Sequence, residues 1–136
     1  VSQKKLDNEI IFLNFVDYID LPYLYKKSLA LVMPTLSGPT NIPPWEAFQL
    51  EIPVIYANIF RIKEVYKDAV YYVDPLDPRN LAKAINNVFR DEDLKKKLID
   101  NGNKLLSNID FENDVNQISK ILIKNKKIKN SFLFQE

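Results

Sequence analysis

Apolar residues fall in four short, nearly unbroken runs, each followed by a longer stretch in which they recur every three or four positions. A strand covered by helices on both faces has no polar side to display, so an unbroken apolar run reads as a strand of a buried parallel sheet. On this reading the strands are residues 9–15, 30–35, 53–58 and 69–74, and the intervening segments are crossover helices. Beyond residue 74 the period becomes helical throughout. Asp77 and Pro78 open a helix carrying Leu81, Ala82, Ile85, Val88 and Phe89, and a second carries Leu94, Leu98, Leu105 and Leu106. A third begins at Asp110, an expected N-cap, with Phe111, Val115, Ile118 and Leu122 along one face. Gly102 is expected at a helix bend or end. No repeat or low-complexity linker divides residues 1–136, which read as a single domain.

The run from Pro34 to Phe48 carries the candidate chemistry. Pro43-Pro44 sits where a helix starts without losing a hydrogen bond, so a helix is expected near Trp45. Its free N–H groups and positive dipole end would face a loop in which Gly38 lets the backbone approach a ligand. Gly38, Pro39, Thr40, Asn41 and Ile42 thus form a candidate phosphate cradle. A carboxylate beside a phosphate needs another target, and Glu46 can accept hydrogen bonds from the vicinal hydroxyls of a ribose. Phosphate on the loop and ribose on Glu46 together describe a nucleoside diphosphate. Two plainer roles stay open: Thr40 and Asn41 as helix caps, and Glu46 as a first-turn acid favoured by the dipole.

Composition removes several classes of chemistry. With no cysteine and no histidine, neither disulfides, thiolate or histidine zinc sites nor histidine-based triads are available, and no metal or other cofactor is expected. A net charge of +1 and aromatic residues spread over strands and helices argue against nucleic-acid binding. No apolar run reaches the roughly 18–20 residues needed to span a bilayer, and the N-terminus lacks a signal-peptide pattern, so a cytoplasmic location is expected. The basic segment Lys124-Asn125-Lys126-Lys127-Ile128-Lys129 reads as the start of a flexible tail over 124–136. Contact with an anionic membrane surface, at its inner face, is the alternative role for that tail.

The order of these landmarks resembles the C-terminal, donor-binding domain of retaining glycosyltransferases of the two-Rossmann-domain (GT-B) type, glycosyltransferase family 4. The resemblance runs from about Ile10 to Asn108. Phe12-Leu13-Asn14 resembles the family's Phe-Leu-Gly turn, and Leu21-Pro22-Tyr23-Leu24-Tyr25 its Leu-x-x-Leu-Tyr helix. Pro43-Pro44-Trp45-Glu46-Ala47 resembles Pro-Pro-Leu-Glu-Ala, and Pro53-Val54-Ile55 a Pro-Val-Val strand, with Glu64, Val73-Asp74-Pro75 and Leu81-Ala82-Lys83-Ala84-Ile85 following in place. The resemblance implies a partial Rossmann-like α/β fold, the last four βα units of the domain followed by C-terminal helices. It also implies a nucleotide-diphosphate sugar as donor substrate, with Gly38 to Ile42 and Glu46 as its binding residues.

Departures from the pattern carry their own expectations. The family's motif has two glutamates with seven residues between them, and counting back from Glu46 the place of the first is held by Gly38. No catalytic residue is therefore named. The resemblance implies an N-terminal domain and two further strands, and in the doubly wound order those strands lie between the first and second strands read here. An open sheet edge follows, to be filled by a partner chain or by a second copy in a homodimer. The function expected is the donor-binding portion of a sugar transferase, inactive as an isolated chain. The alternative is a non-catalytic remnant or scaffold that keeps the fold.

Overall fold

A computed structural model describes residue 6, residues 8–38 and residues 41–133. Three parallel strands, β1 (Leu31–Met33), β2 (Val54–Ala57) and β3 (Val70–Val73), lie side by side in chain order. Leu31 is level with Val54, and Val54 with Val70. Helix α1 (Leu21–Lys27) precedes the sheet, α2 (Ile42–Gln49) joins β1 to β2, and α3 (Ile62–Tyr66) joins β2 to β3. The chain then continues through α4 (Pro78–Arg90), α5 (Glu92–Ser107) and α6 (Phe111–Leu133).

Adjacent parallel strands joined by crossovers of one hand must place their connecting helices on one face. Accordingly Ala47 and Phe48 of α2 and Ile62 and Tyr66 of α3 share a core with Val54 and Tyr56. Ile55 and Val73 point the other way, onto Ala84 and Val88 of α4 and Leu98 of α5. All four residues of β2 are buried, which explains why its sequence carries no polar alternation. Each fully buried side chain of the size of Ile55 contributes roughly 1.5–3 kcal/mol, so this central strand anchors both layers. The expected helix starts at Asp77 and Asp110 are capped: the Asp77 side chain accepts from the N–H groups of Arg79 and Asn80, and Asp110 from Asn113; Asp91, not named from the sequence, caps α5 by accepting from Leu94.

Several expectations are corrected. Residues 9–15 form no strand, and Ile11, Phe12 and Phe15 are largely exposed. A strand needs a hydrogen-bonded neighbour, and the doubly wound order puts two other strands between this segment and β1; neither is among the described residues. The sheet therefore has three strands, with β1 paired only to β2 among those residues. The basic stretch from Lys124 lies within α6, which runs to Leu133, and residues 134–136 of the expected tail lie outside the described residues. Nothing after Asp110 is a glycine or proline, so no residue stops the helix.

Gly102 ends nothing. It lies inside α5 and is buried, where an added Cβ would meet Phe48 Cδ1 at 2.7 Å. The glycine lets α5 close onto α2, and α5 contributes Leu98 to one core and Leu105 and Leu106 to the other. Along α6, Val115, Ile118 and Leu122 are exposed. Among the described residues, no helix is long and apolar enough to cross a membrane.

Candidate functional site

The loops that follow the carboxyl ends of β1 and β2 face one another, the place where open α/β sheets receive ligands. Gly38 has φ +98, a conformation that disfavours any residue with a Cβ. A Cβ there would also lie 2.8 Å from Asn41 Oδ1. The glycine is thus demanded twice, by backbone torsion and by the folded-back amide of Asn41. Gly38 lines a cavity of about 330 Å³ together with Leu36, Ser37, Ile59, Phe60 and Arg61.

Asn41 stands at the N-cap position of α2, yet its side chain makes no capping bond. Instead its Nδ2 donates to the Tyr56 hydroxyl at 2.6 Å, and that hydroxyl donates to the carbonyl of Gly38 at 3.0 Å. The Tyr66 hydroxyl donates to the carbonyl of Asn41, also at 3.0 Å. Two buried tyrosines, one on β2 and one on α3, therefore hold the loop from beneath. Their rings pack at 5.2 Å between centroids, with Trp45 and Phe48 against Tyr66. Burial raises both phenols, that of Tyr66 to about 12, so both hydroxyls keep their protons and act as donors at neutral pH. One N–H of Asn41's amide is thus committed to the Tyr56 hydroxyl that braces the loop.

Helix α2 begins at Ile42, three residues before the expected start, with Pro43 and Pro44 inside its first turn. This placement has an electrostatic consequence. A helix N-terminus offers up to four N–H groups without intrahelical partners, and two of the four positions here are prolines. Among the described residues, the candidate phosphate cradle keeps the N–H groups of Gly38, Asn41 and Ile42. Ile42's side chain is exposed. Pro39 and Thr40, the remaining cradle residues, lie outside the described residues.

Glu46 falls in the second turn of α2, and the first turn carries no acidic residue. The helix dipole decays within one turn, so capping electrostatics do not account for it. Its Oε2 accepts a hydrogen bond of 2.8 Å from the Tyr25 hydroxyl, which also lies 3.5 Å from the Pro43 carbonyl. Burial, the hydrogen bond to Glu46 and the charge of Glu46 all push the Tyr25 phenol up. Glu46 and Tyr25 line a second cavity, of about 260 Å³, between α1 and α2 with Leu21, Pro22 and Leu50. The structure therefore brings Gly38, Asn41 and Ile42 together, and sets Glu46 along the same helix in a neighbouring cavity.

The geometry is that of a strand-loop-helix ligand site, and a model of the family "Glycosyl transferases group 1" matches residues 1–105. The chain belongs to that family. It is 31% identical over 126 residues to the O-antigen chain mannosyltransferase RfbU of Salmonella typhimurium, covering 93% of this chain and 35% of that protein. It is likewise 31% identical over 83 residues to O-antigen chain mannosyltransferase B of Escherichia coli, covering 61% of this chain and 22% of the relative. The sucrose-phosphate synthase of Thermosynechococcus elongatus shares the fold, with a TM-score of 0.79 at 20% identity over 93% of this chain and 33% of that one. The glycosyltransferase chain thus spans about a third of the length of RfbU.

Sequence reasoning missed the three tyrosines that build the site. Tyr25 was legible only as a letter of the Leu-x-x-Leu-Tyr pattern, and nothing in the spacing of Tyr56 and Tyr66 ties them to a loop some 15 to 25 positions upstream. Arg61, in a left-handed conformation with φ 61, also lines the loop cavity. Its Nε donates to both carboxylate oxygens of Glu64 at 3.2 Å, an exposed pair that contributes little to stability.

Proposed function

We propose that this chain is the donor-binding part of a glycosyltransferase and takes a nucleotide-diphosphate sugar. In this reading the diphosphate lies on the N–H groups of Gly38, Asn41 and Ile42, and the ribose hydroxyls donate to Glu46. The observation that carries it is a second-turn carboxylate held by a neutral donor beside a braced glycine loop. Glu46 lies five positions after Asn41, about 7.5 Å along the helix axis, a spacing on the scale that separates a diphosphate from the hydroxyls of its own ribose. The bracing supports the reading as well, because a pre-set loop binds without an ordering cost.

Catalysis in such a site is positioning plus stabilisation of the leaving diphosphate, and the residues here serve those two tasks. Two O-antigen mannosyltransferases among the relatives make a mannosyl donor the first to test. The chain alone should transfer no sugar, since it spans about a third of RfbU. Its nucleotide affinity should be low. A helix N-terminus supplies about 0.3–1 kcal/mol toward an anion, less here with two prolines in the first turn, whereas millimolar binding already requires about 4 kcal/mol. Calorimetry or NMR titration with GDP, UDP and inorganic pyrophosphate tests the assignment. Glu46→Ala should weaken both nucleotides and leave pyrophosphate unchanged; equal loss for all three removes Glu46 from the ribose role.

A second reading, a domain that keeps the fold without turnover, draws on Gly38 in place of the first motif glutamate and on the missing proline N–H groups. Sugar transfer from a nucleotide sugar by the protein that carries this domain, lost on Glu46→Ala, would dismiss it.

A further inference from the structure

We infer that Tyr25 is a positioning residue for Glu46, fixing the carboxylate so that its second oxygen is presented to the donor's ribose hydroxyls; this rests on the ribose role proposed above. The geometry comes from two separate elements. Tyr25 is on α1, its hydroxyl reaches Glu46 Oε2 on α2 at 2.8 Å, and the same hydroxyl sits 3.5 Å from the carbonyl of Pro43 at the start of α2. Among the described residues Glu46 Oε1 has no hydrogen-bond donor and Glu46 has no cationic partner.

The chemical identity of the partner matters. A half-buried carboxylate beside Leu21, Pro22 and Leu50 loses hydration, and one charge-assisted hydrogen bond offsets part of that loss. A lysine or arginine would do so too, but it would neutralise the carboxylate and compete with weakly donating hydroxyls. Tyrosine donates one proton and adds no charge. It occupies one of roughly four lone-pair directions and leaves the rest to accept from a diol. Because the tyrosine ring is itself lodged against the α2 side of the core, the carboxylate inherits the rigidity of the α1–α2 contact. Without that bond Glu46 can turn about its side-chain torsions into the open cavity between α1 and α2, and binding must then restrict it again.

The test compares GDP and UDP with their 2′,3′-dideoxy forms by NMR titration of the full chain, in wild type, Tyr25→Phe, Glu46→Ala and the double variant. The wild type should prefer the ribonucleotides, and Tyr25→Phe should reduce that preference roughly tenfold while leaving dideoxy binding unchanged. In the Glu46→Ala background Tyr25→Phe should have no further effect. A tyrosine that only supports the fold would weaken ribo and dideoxy forms alike, and that result overturns the proposal. Retention of the full preference by Tyr25→Phe overturns it while leaving the ribose role of Glu46 intact, whereas a wild type without preference removes both. A ligand-free measurement reads the contact directly: the Tyr25 ring ¹³Cζ resonance should move on Glu46→Gln, and an unmoved resonance is incompatible with the bond.

Discussion

Replacing Gly38 by alanine perturbs the loop at the position where two independent constraints meet. The residue has φ +98, where a side chain adds roughly 1–3 kcal/mol of backbone strain. Alanine offsets part of this, about 0.4–1 kcal/mol, by restricting the unfolded chain. The new Cβ would lie 2.8 Å from Asn41 Oδ1 and 3.1 Å from its Nδ2, so the amide must move. Moving it endangers the 2.6 Å bond to Tyr56, worth about 0.5–1.5 kcal/mol net. The balance is a destabilisation of about 1–3 kcal/mol. Urea denaturation followed by tryptophan fluorescence is a suitable assay, because Trp45 packs against Tyr66 directly under this loop. The two terms separate in a double-mutant cycle: with Asn41→Ala the crowding vanishes and only the strain remains, so the cost should fall by about 0.5–1.5 kcal/mol. A neutral or stabilising Gly38→Ala would refute the torsional argument. An identical cost in both backgrounds would refute the close approach of Asn41.

Gly102→Val should destabilise by about 2 kcal/mol or more in urea titration, because its Cβ meets Phe48 at 2.7 Å and the overpacked α2–α5 contact has nowhere to relax. The Tyr66 phenol is raised from 10.0 to about 12 in the folded state, so the native protein holds a proton that the unfolded chain has lost. Its contribution is complete below pH 10 and is lost as pH rises toward 12, at about 1.4 kcal/mol per pH unit; Tyr66→Phe should flatten that part of the alkaline stability profile. Phe12→Ala should change stability by less than about 0.5 kcal/mol, as its ring is 73% exposed; a loss of 3 kcal/mol would restore the segment 9–15 to the core.

Local chemistry was enough for much of the fold. The three apolar runs that became β1, β2 and β3 are legible because a strand covered on both faces excludes polar residues, and the aspartates at 77 and 110 mark helix starts because the capping bond is made within three residues. Glu46 and the glycine loop were legible as candidates because Pro43-Pro44 marks where the loop gives way to α2, whereas the Tyr25 hydroxyl that Glu46 accepts from was not. The segment 9–15 has the composition of a strand, but composition cannot supply the neighbour to which its amides must bond. In the same way Gly102 looks like a helix end from its sequence, and only the arrival of Phe48 from α2 shows that it is a contact point.

What the sequence determined by itself, then, is the family, the parallel strand-and-helix order, and a loop with glycine at 38 and a carboxylate at 46. The tertiary structure decided what those residues do to one another. It started α2 at Ile42, which put Glu46 in the second turn and left prolines at two of the first-turn positions of the candidate phosphate cradle. It also brought Tyr25, Tyr56 and Tyr66 to the loop and its carboxylate from three different elements. A hydroxyl at the end of a long ring reaches across layers, and which layer it reaches depends on packing that no local pattern encodes.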